Sequence, residues 1–191
     1  MVTTMKTNDI HNPSNYSVRF GMSDYFTRCV TLTNISGVIK TLTSATPHTR
    51  SEGNMLIIVT AGRGKLIVNN EVHKIRRGSF ACLGPFHTYS IVPDSDSTIK
   101  LAYCCIDPGI YMYIMSCPYV KVNTFEVPQG AIVAQISEAD TTRVEGIFDF
   151  LSNHEKDDYF TNKIKYMYVI ELFGILLHES NKKKSASVKS E

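Results

Sequence analysis

The stretch GSFACLGPFHTYS (78–90) carries one imidazole, His87, in an otherwise apolar and strand-like run. An imidazole there can ligate a metal, exchange a proton, or satisfy a neighbouring backbone group. A metal centre of this kind needs three or four nitrogen or oxygen ligands converging on one ion. His48 in PHTR and His73 in EVHKI each stand alone, and no His-x-His pair occurs. The strand-like runs hold no closely paired carboxylates, so acid–base catalysis lacks its usual partners as well. The sequence therefore offers neither a metal centre nor a catalytic pair around His87, which leaves a pocket role or a backbone hydrogen bond.

Other groups complete the set. Arg50 precedes the MLIIV run, and its guanidinium is a rigid fork of donors suited to a polyol, carboxylate or phosphate. It can equally pair with Glu52 at the surface. Tyr89 lies two residues after His87, so on a strand both face the same way. Gly62-Arg63-Gly64 lacks the Lys-Ser/Thr pair and following helix of a phosphate loop, and reads as a turn or bulge. Cys104 and Cys105 are vicinal thiols, but neighbours on a strand point to opposite faces, so only one can enter a pocket. Lys182-Lys183-Lys184 can meet DNA phosphates or simply be solvated.

These groups must be positioned by short strands. CVTLTNI, GVIKTLT, MLIIVTA, KLIVNN, EVHKI, SFACLG, TYSIV and IKLAYCCI follow one another between about 26 and 135. Small strands at such spacing predict a sandwich or barrel, not βαβ units. Asn69-Asn70 predicts a two-residue primed hairpin turn, because asparagine tolerates positive φ. After about 137 the period changes. Ser137 is a candidate N-cap with Asp140 three residues on, and Val144, Ile147, Phe148 and Leu151 recur at helical spacing. A second helix is expected from about Tyr159 to His178. It is apolar nearly all round, so it must be buried on two sides. One side can pack on the β-domain and the other on a second copy of the same helix, through Ile164, Tyr168, Leu172, Phe173 and Leu176.

The 191 residues are 43% hydrophobic and 20% charged with net charge +2, which is ordinary for one globular domain with an appendage. The five cysteines include no Cys-x-x-Cys and read as reduced thiols of a cytoplasmic protein. No signal peptide and no membrane-length apolar run stand out. Residues 1–20 are polar and read as an arm, in which Tyr16 and Phe20 could close over a ligand. Residues 181–191 read as a solvated linker.

The order of these motifs resembles a known family. PHTR (47–50), the run NMLIIVTAGRGKLIVNNEVHKIRRGSFACLGPFHTYSIVPDS (54–95) and KLAYCCIDPG (100–109) present an arginine before a strand, a Gly-x-Gly turn, a hairpin, the Gly78 turn, Pro85-Phe86-His87 and a final strand. That order resembles the N-terminal cupin-type effector-binding and dimerisation domain of AraC-family transcriptional regulators. The resemblance implies a mainly β fold with C-terminal helices. A cupin-like jelly-roll barrel over 21–135 would be followed by dimerisation helices over 136–180 and a linker to a DNA-binding domain not present in the chain.

The resemblance also implies that His48, Arg50, His87, Tyr89 and Tyr103 are the candidate ligand contacts, with no cofactor. The effector would be a sugar, carboxylate or amphiphile bound inside the barrel. The absence of tryptophan departs from the sugar-binding pattern. The expectation is a homodimeric sensor and not an enzyme, reaching DNA only through another domain and needing no membrane. The alternatives are a cupin-fold dioxygenase or isomerase, and a dimerisation module that binds no ligand.

Overall fold

Strand alternation builds two cores from one sheet. The computed structural model describes residues 35, 37–51, 53–85, 87–106, 131–154 and 158–188. The expected arm over 1–20, most of the run CVTLTNI, Cys29 and Cys117 lie outside the described residues. The strands are β1 (Gly37–Leu42), β2 (Thr49–Arg50), β3 (Asn54–Ala61), β4 (Arg63–Val68), β5 (Glu71–Arg76), β6 (Ser79–Leu83), β7 (Thr88–Pro93), β8 (Ile99–Ile106) and β9 (Ile132–Gln135). Two helices follow, α1 (Glu138–Asn153) and α2 (Tyr159–Val188).

One sheet has the order β1-β8-β3-β6-β9 and the other β2-β7-β4-β5. Every pairing is antiparallel. The chain crosses between the sheets as it runs from β1 to β8, which is the path of a jelly roll. The mainly β fold with C-terminal helices is the one expected. β2 and β9 are the described strands missing from the runs read in the sequence.

On β3, Met55, Ile57 and Val59 face the second sheet, while Leu56 and Ile58 face the helices. β6 divides in the same way: Ala81 and Leu83 point inward, Phe80 and Cys82 toward the helices. So does β8, with Ile99 and Leu101 inside and Ala102, Cys104 and Ile106 outside. A strand covered on both faces must be apolar at every position, which is why β3 and β6 read as continuous apolar runs.

The turns match their residues. Asn69 and Asn70 both have positive φ, 47° and 70°, the primed-turn geometry that suits a tight hairpin. Gly62 has φ of 83°, and a Cβ there would lie 1.9 Å from the Thr98 carbonyl oxygen. Only glycine fits both the conformation and the space.

Ser137 caps α1 by accepting the Asp140 N–H at 3.1 Å. Arg77, in the β5–β6 turn, pairs with Glu138 at 2.8 Å and with Glu145, and donates to the Thr60 carbonyl at 2.6 Å. One guanidinium thus ties α1 to the barrel. Its proton affinity is raised by these carboxylate hydrogen bonds. Arg143 on α1 makes a two-pronged pair with Glu171 on α2 at 2.7 and 2.9 Å.

α2 differs from the sequence expectation in two ways. It continues past His178 to Val188, through residues read as linker. Extending an existing helix costs little, and lysine, alanine and serine are tolerated in it. The residues expected at a dimer contact also divide. Leu172, Phe173 and Leu176 are buried in the chain's own helix-side core with Phe148 and Leu151. Tyr168 lies edge-on to Phe150 of α1, with centroids 5.0 Å apart. These four are therefore already committed within one copy, three to the core and one to α1. Ile164 is exposed, and so are Phe160 and Met167, at 75% and 68%.

Candidate functional site

A cavity of about 260 Å³ opens between the two sheets, on the side where β1 and β2 form their edges. Its apolar lining is Leu42, Met55, Ile57, Ile91, Leu101 and Pro47. Its polar lining is Lys40, Thr46, Thr49, Tyr89 and Tyr103. The volume lies just below the roughly 300–1,000 Å³ of common small-molecule sites.

Register explains which residues reach it. Residues directly opposite in an antiparallel pair share a face. Lys40 pairs with Leu101, and Leu101 with Val59, so all three sit on the inner face. Tyr103 pairs with Ile57 in the same way. Thr49 pairs with Tyr89, so both line the cavity.

Tyr89 and Tyr103 therefore reach the cavity, whereas Arg50, His48 and His87 do not line it. The reason for Arg50 is parity. It pairs with exposed Thr88 and faces away from Thr49 and Tyr89. His48 is exposed between two lining residues, Pro47 and Thr49. His87 is buried, and its Nδ1 accepts the Gly84 N–H at 3.2 Å while its carbonyl accepts the Ser51 N–H at 2.9 Å. It holds two loop segments together, the backbone role that the sequence left open. Among the described residues no group of three His, Cys, Asp or Glu side chains is placed to hold a metal.

Lys40 was not singled out by the sequence, because a lysine on an edge strand reads as surface. Its stem lines the cavity while its ammonium stays wet, as long cationic side chains often do. The Nζ lies 5.9 Å from the centre of the Tyr103 ring, within cation–π range. It is the charged residue of the lining.

Tyr89 directs its hydroxyl at the Met55 sulfur, 3.9 Å away. Burial pushes its ionisation up, and Cys105 and Tyr103 add to the shift. It is therefore a neutral phenol near pH 7, able to donate one hydrogen bond to a ligand. Cys105 shares the inner-face parity of Tyr103 and is exposed, while Cys104 and Cys82 are buried on the helix side. Thr46 anchors the cavity rim by exchanging two hydrogen bonds with Ile91, each 2.9 Å. The site is thus an apolar chamber with two phenols, two threonines and one ammonium. It can orient a small amphiphile, and nothing in its lining forms a nucleophile–base pair.

No family model matches the sequence, and no curated protein does. Solved structures do match in fold. An apo variant of ToxT from Vibrio cholerae strain SCE256 superposes with a TM-score of 0.60 at 14% identity, covering 83% of this chain and 65% of that one. ToxT of the same strain bound to an unsaturated fatty acid has a TM-score of 0.52 at 11% identity, covering 76% of this chain and 56% of that one. ToxT from strain O395 bound to (E)-4-(8-methylnaphthalen-1-yl)but-3-enoic acid has a TM-score of 0.52 at 10% identity, covering 76% and 58%. The chain spans less than two thirds of the length of these proteins. No helix among the described residues is long and apolar enough to cross a membrane. The chain, a jelly roll of two antiparallel sheets followed by two helices, therefore shares its fold with part of ToxT.

Proposed function

We propose that the chain is the effector-sensing and dimerisation module of a cytoplasmic transcription regulator, and that its effector is a small amphiphilic carboxylate bound in the barrel. The observation that carries this reading is the cavity itself, apolar within and carrying one ammonium at its mouth. A carboxylate pairs with Lys40 in the wet rim, where ion pairing needs little desolvation. An apolar tail lies against Met55, Ile57 and Leu101, and the Tyr89 and Tyr103 rings close over it. Two matched ToxT structures hold carboxylic acids with large apolar parts, which supports the same ligand class here. Sugars fit less well, since six of the lining residues are apolar and the chain offers no tryptophan face.

The chain acts by binding, not by catalysis. A second copy packs on the exposed apolar face of α2, through Phe160, Ile164 and Met167. DNA is contacted through a separate domain, to which α2 transmits the state of the barrel. Such a signal requires that the effector favour one arrangement over the other, because equal affinity for both shifts nothing.

A thermal-shift titration tests this with palmitoleate and arabinose on the wild-type chain and on Lys40→Gln. Palmitoleate should raise the melting temperature, arabinose should not, and Lys40→Gln should weaken the palmitoleate effect. A palmitoleate response unchanged in Lys40→Gln would remove the cavity mouth from the reading. A response to arabinose alone would replace the ligand class.

A further inference from the structure

α2 buries a charge that no described side chain near it neutralises. Lys165 is 0% exposed, and its Nζ has no hydrogen-bond partner among the described residues. Asn162 is 4% exposed, and its Oδ1 is also without a partner there. The two residues are three apart on one helix, so they share a face. That face continues into Val169, Leu172 and Leu176, which enter the core between α2, α1 and the β6–β9 edge of the sheet.

A buried ammonium without a counter-charge is strongly unfavourable. The acidic side chains described on α1 and α2 are engaged elsewhere or face solvent. Glu171 pairs with Arg143, Glu138 and Glu145 pair with Arg77, and Glu179 pairs with Lys182. Asp140 accepts the Ser137 hydroxyl, and Asp149 is exposed. Asp158 accepts the Phe160 and Thr161 N–H groups at the start of α2. The missing partner must then come from outside these acidic groups.

We propose that Lys165 and Asn162 form an anion site beneath α2, taking the carboxylate of a monocarboxylic acid. Rotating the Asn162 amide by 180° presents its NH₂ where Oδ1 now stands, so both residues can donate to one oxyanion. The charge balance is one to one, and the surroundings are apolar. Both features favour a singly charged carboxylate over a doubly charged phosphate. This site lies across the sheet from the barrel cavity and does not depend on the reading of that cavity. Because Lys165 is fully buried, the anion enters only when α2 loosens, and its binding then holds α2 in place.

The experiment compares melting temperatures in sodium butyrate, sodium palmitoleate, sodium phosphate and sodium chloride at matched ionic strength. It uses Lys40→Gln as the background, which disables the barrel mouth, and adds Lys165→Met or Asn162→Leu to it. The expected result is a rise with butyrate that is lost with Lys165→Met and reduced with Asn162→Leu. Without any acid, Lys165→Met should melt higher than its parent, because it removes an uncompensated buried charge. A rise with palmitoleate but not butyrate, lost with Lys165→Met, would keep the site and assign it to the head of a long-chain acid. A butyrate rise retained in both variants, no rise with either acid, or a rise with phosphate alone would each overturn the proposal. If Lys165→Met fails to fold, the butyrate response of Asn162→Leu decides the matter by itself. Failure of the barrel reading shows up separately, as palmitoleate binding that is indifferent to Lys40→Gln in the otherwise unchanged chain.

Discussion

The two faces of the β1-β8-β3-β6-β9 sheet are built from alternate residues of the same strands, yet they are finished differently. Toward the helices, Leu56, Ile58, Phe80 and Cys104 meet Phe148, Leu151, Val169 and Leu172, and all are almost wholly buried. Toward the second sheet, Ile57, Ile91 and Leu101 leave a cavity of about 260 Å³ with partly exposed tyrosines at its mouth. The first face uses its apolar side chains to hold layers together. The second leaves some of that contact unmade and keeps a volume free for another molecule. Packing and recognition are thus separated by the thickness of one sheet.

The largest effect should come from the packed face. Phe148→Ala empties a site that is 1% exposed, and should cost about 3–5 kcal/mol in urea unfolding. A cost nearer 1 kcal/mol would mean that the helix layer is loosely packed and the contrast false.

A matched pair of enlargements tests the contrast more directly. Ile58→Phe pushes into the filled face and should cost about 1–3 kcal/mol. Ile57→Phe, one residue away, has the cavity to grow into. It should cost roughly 1 kcal/mol or less and block palmitoleate. Equal costs in the two variants would show that the cavity is not available space.

The thiols give a third comparison. Burial pushes Cys82 up to about 12, and raises Cys104 as well with help from Cys105 and Cys82. In the unfolded chain both ionise near the ordinary value of 9.0. Above that pH the native state holds more protons than the unfolded state. The stabilisation is therefore complete below about pH 9 and falls as pH rises toward 12, approaching about 1.4 kcal/mol per pH unit per thiol. Urea midpoints measured near pH 8 and about pH 10 should show the fall, and Cys82→Ala should lessen it. Peptide mapping after iodoacetamide should find Cys105, on the open face, modified before either buried thiol.

The smallest effect on the isolated fold belongs to the exposed stripe of α2. Met167→Ser should change unfolding stability by about 0.5 kcal/mol or less at concentrations where the chain is monomeric. The same variant should shift the sedimentation profile toward monomer. A profile unchanged by Met167→Ser would point the dimer contact elsewhere.

Much of the fold could be read from local chemistry. The paired asparagines at 69–70 announce their own turn, since few other residues accept positive φ twice in succession. Ser137 and Asp140 mark the start of α1 because capping is a contact within one turn. The candidate site was less legible, because membership depends on register between strands distant in sequence. Thr49 and Arg50 are neighbours, yet only Thr49 points inward, and that follows from pairing with Tyr89. The charge of Arg50 marks it as a candidate, while Lys40, on an edge strand, looks like solvent-facing surface. Lys165 sits on a helix whose apolar residues mask it, and nothing in its charge announces that the fold buries it completely.

The length of α2 has a mechanical meaning. Its 30 residues make a rod of about 45 Å, longer than the diameter of many small domains. Its fully buried core contacts end at Leu176, and the helix runs on to Val188. A rod clamped over part of its length works as a lever. A tilt of about 5° at Leu176 carries Val188, about 18 Å further on, through roughly 1.6 Å. A small rotation of the clamped part is thus read as a larger movement at Val188.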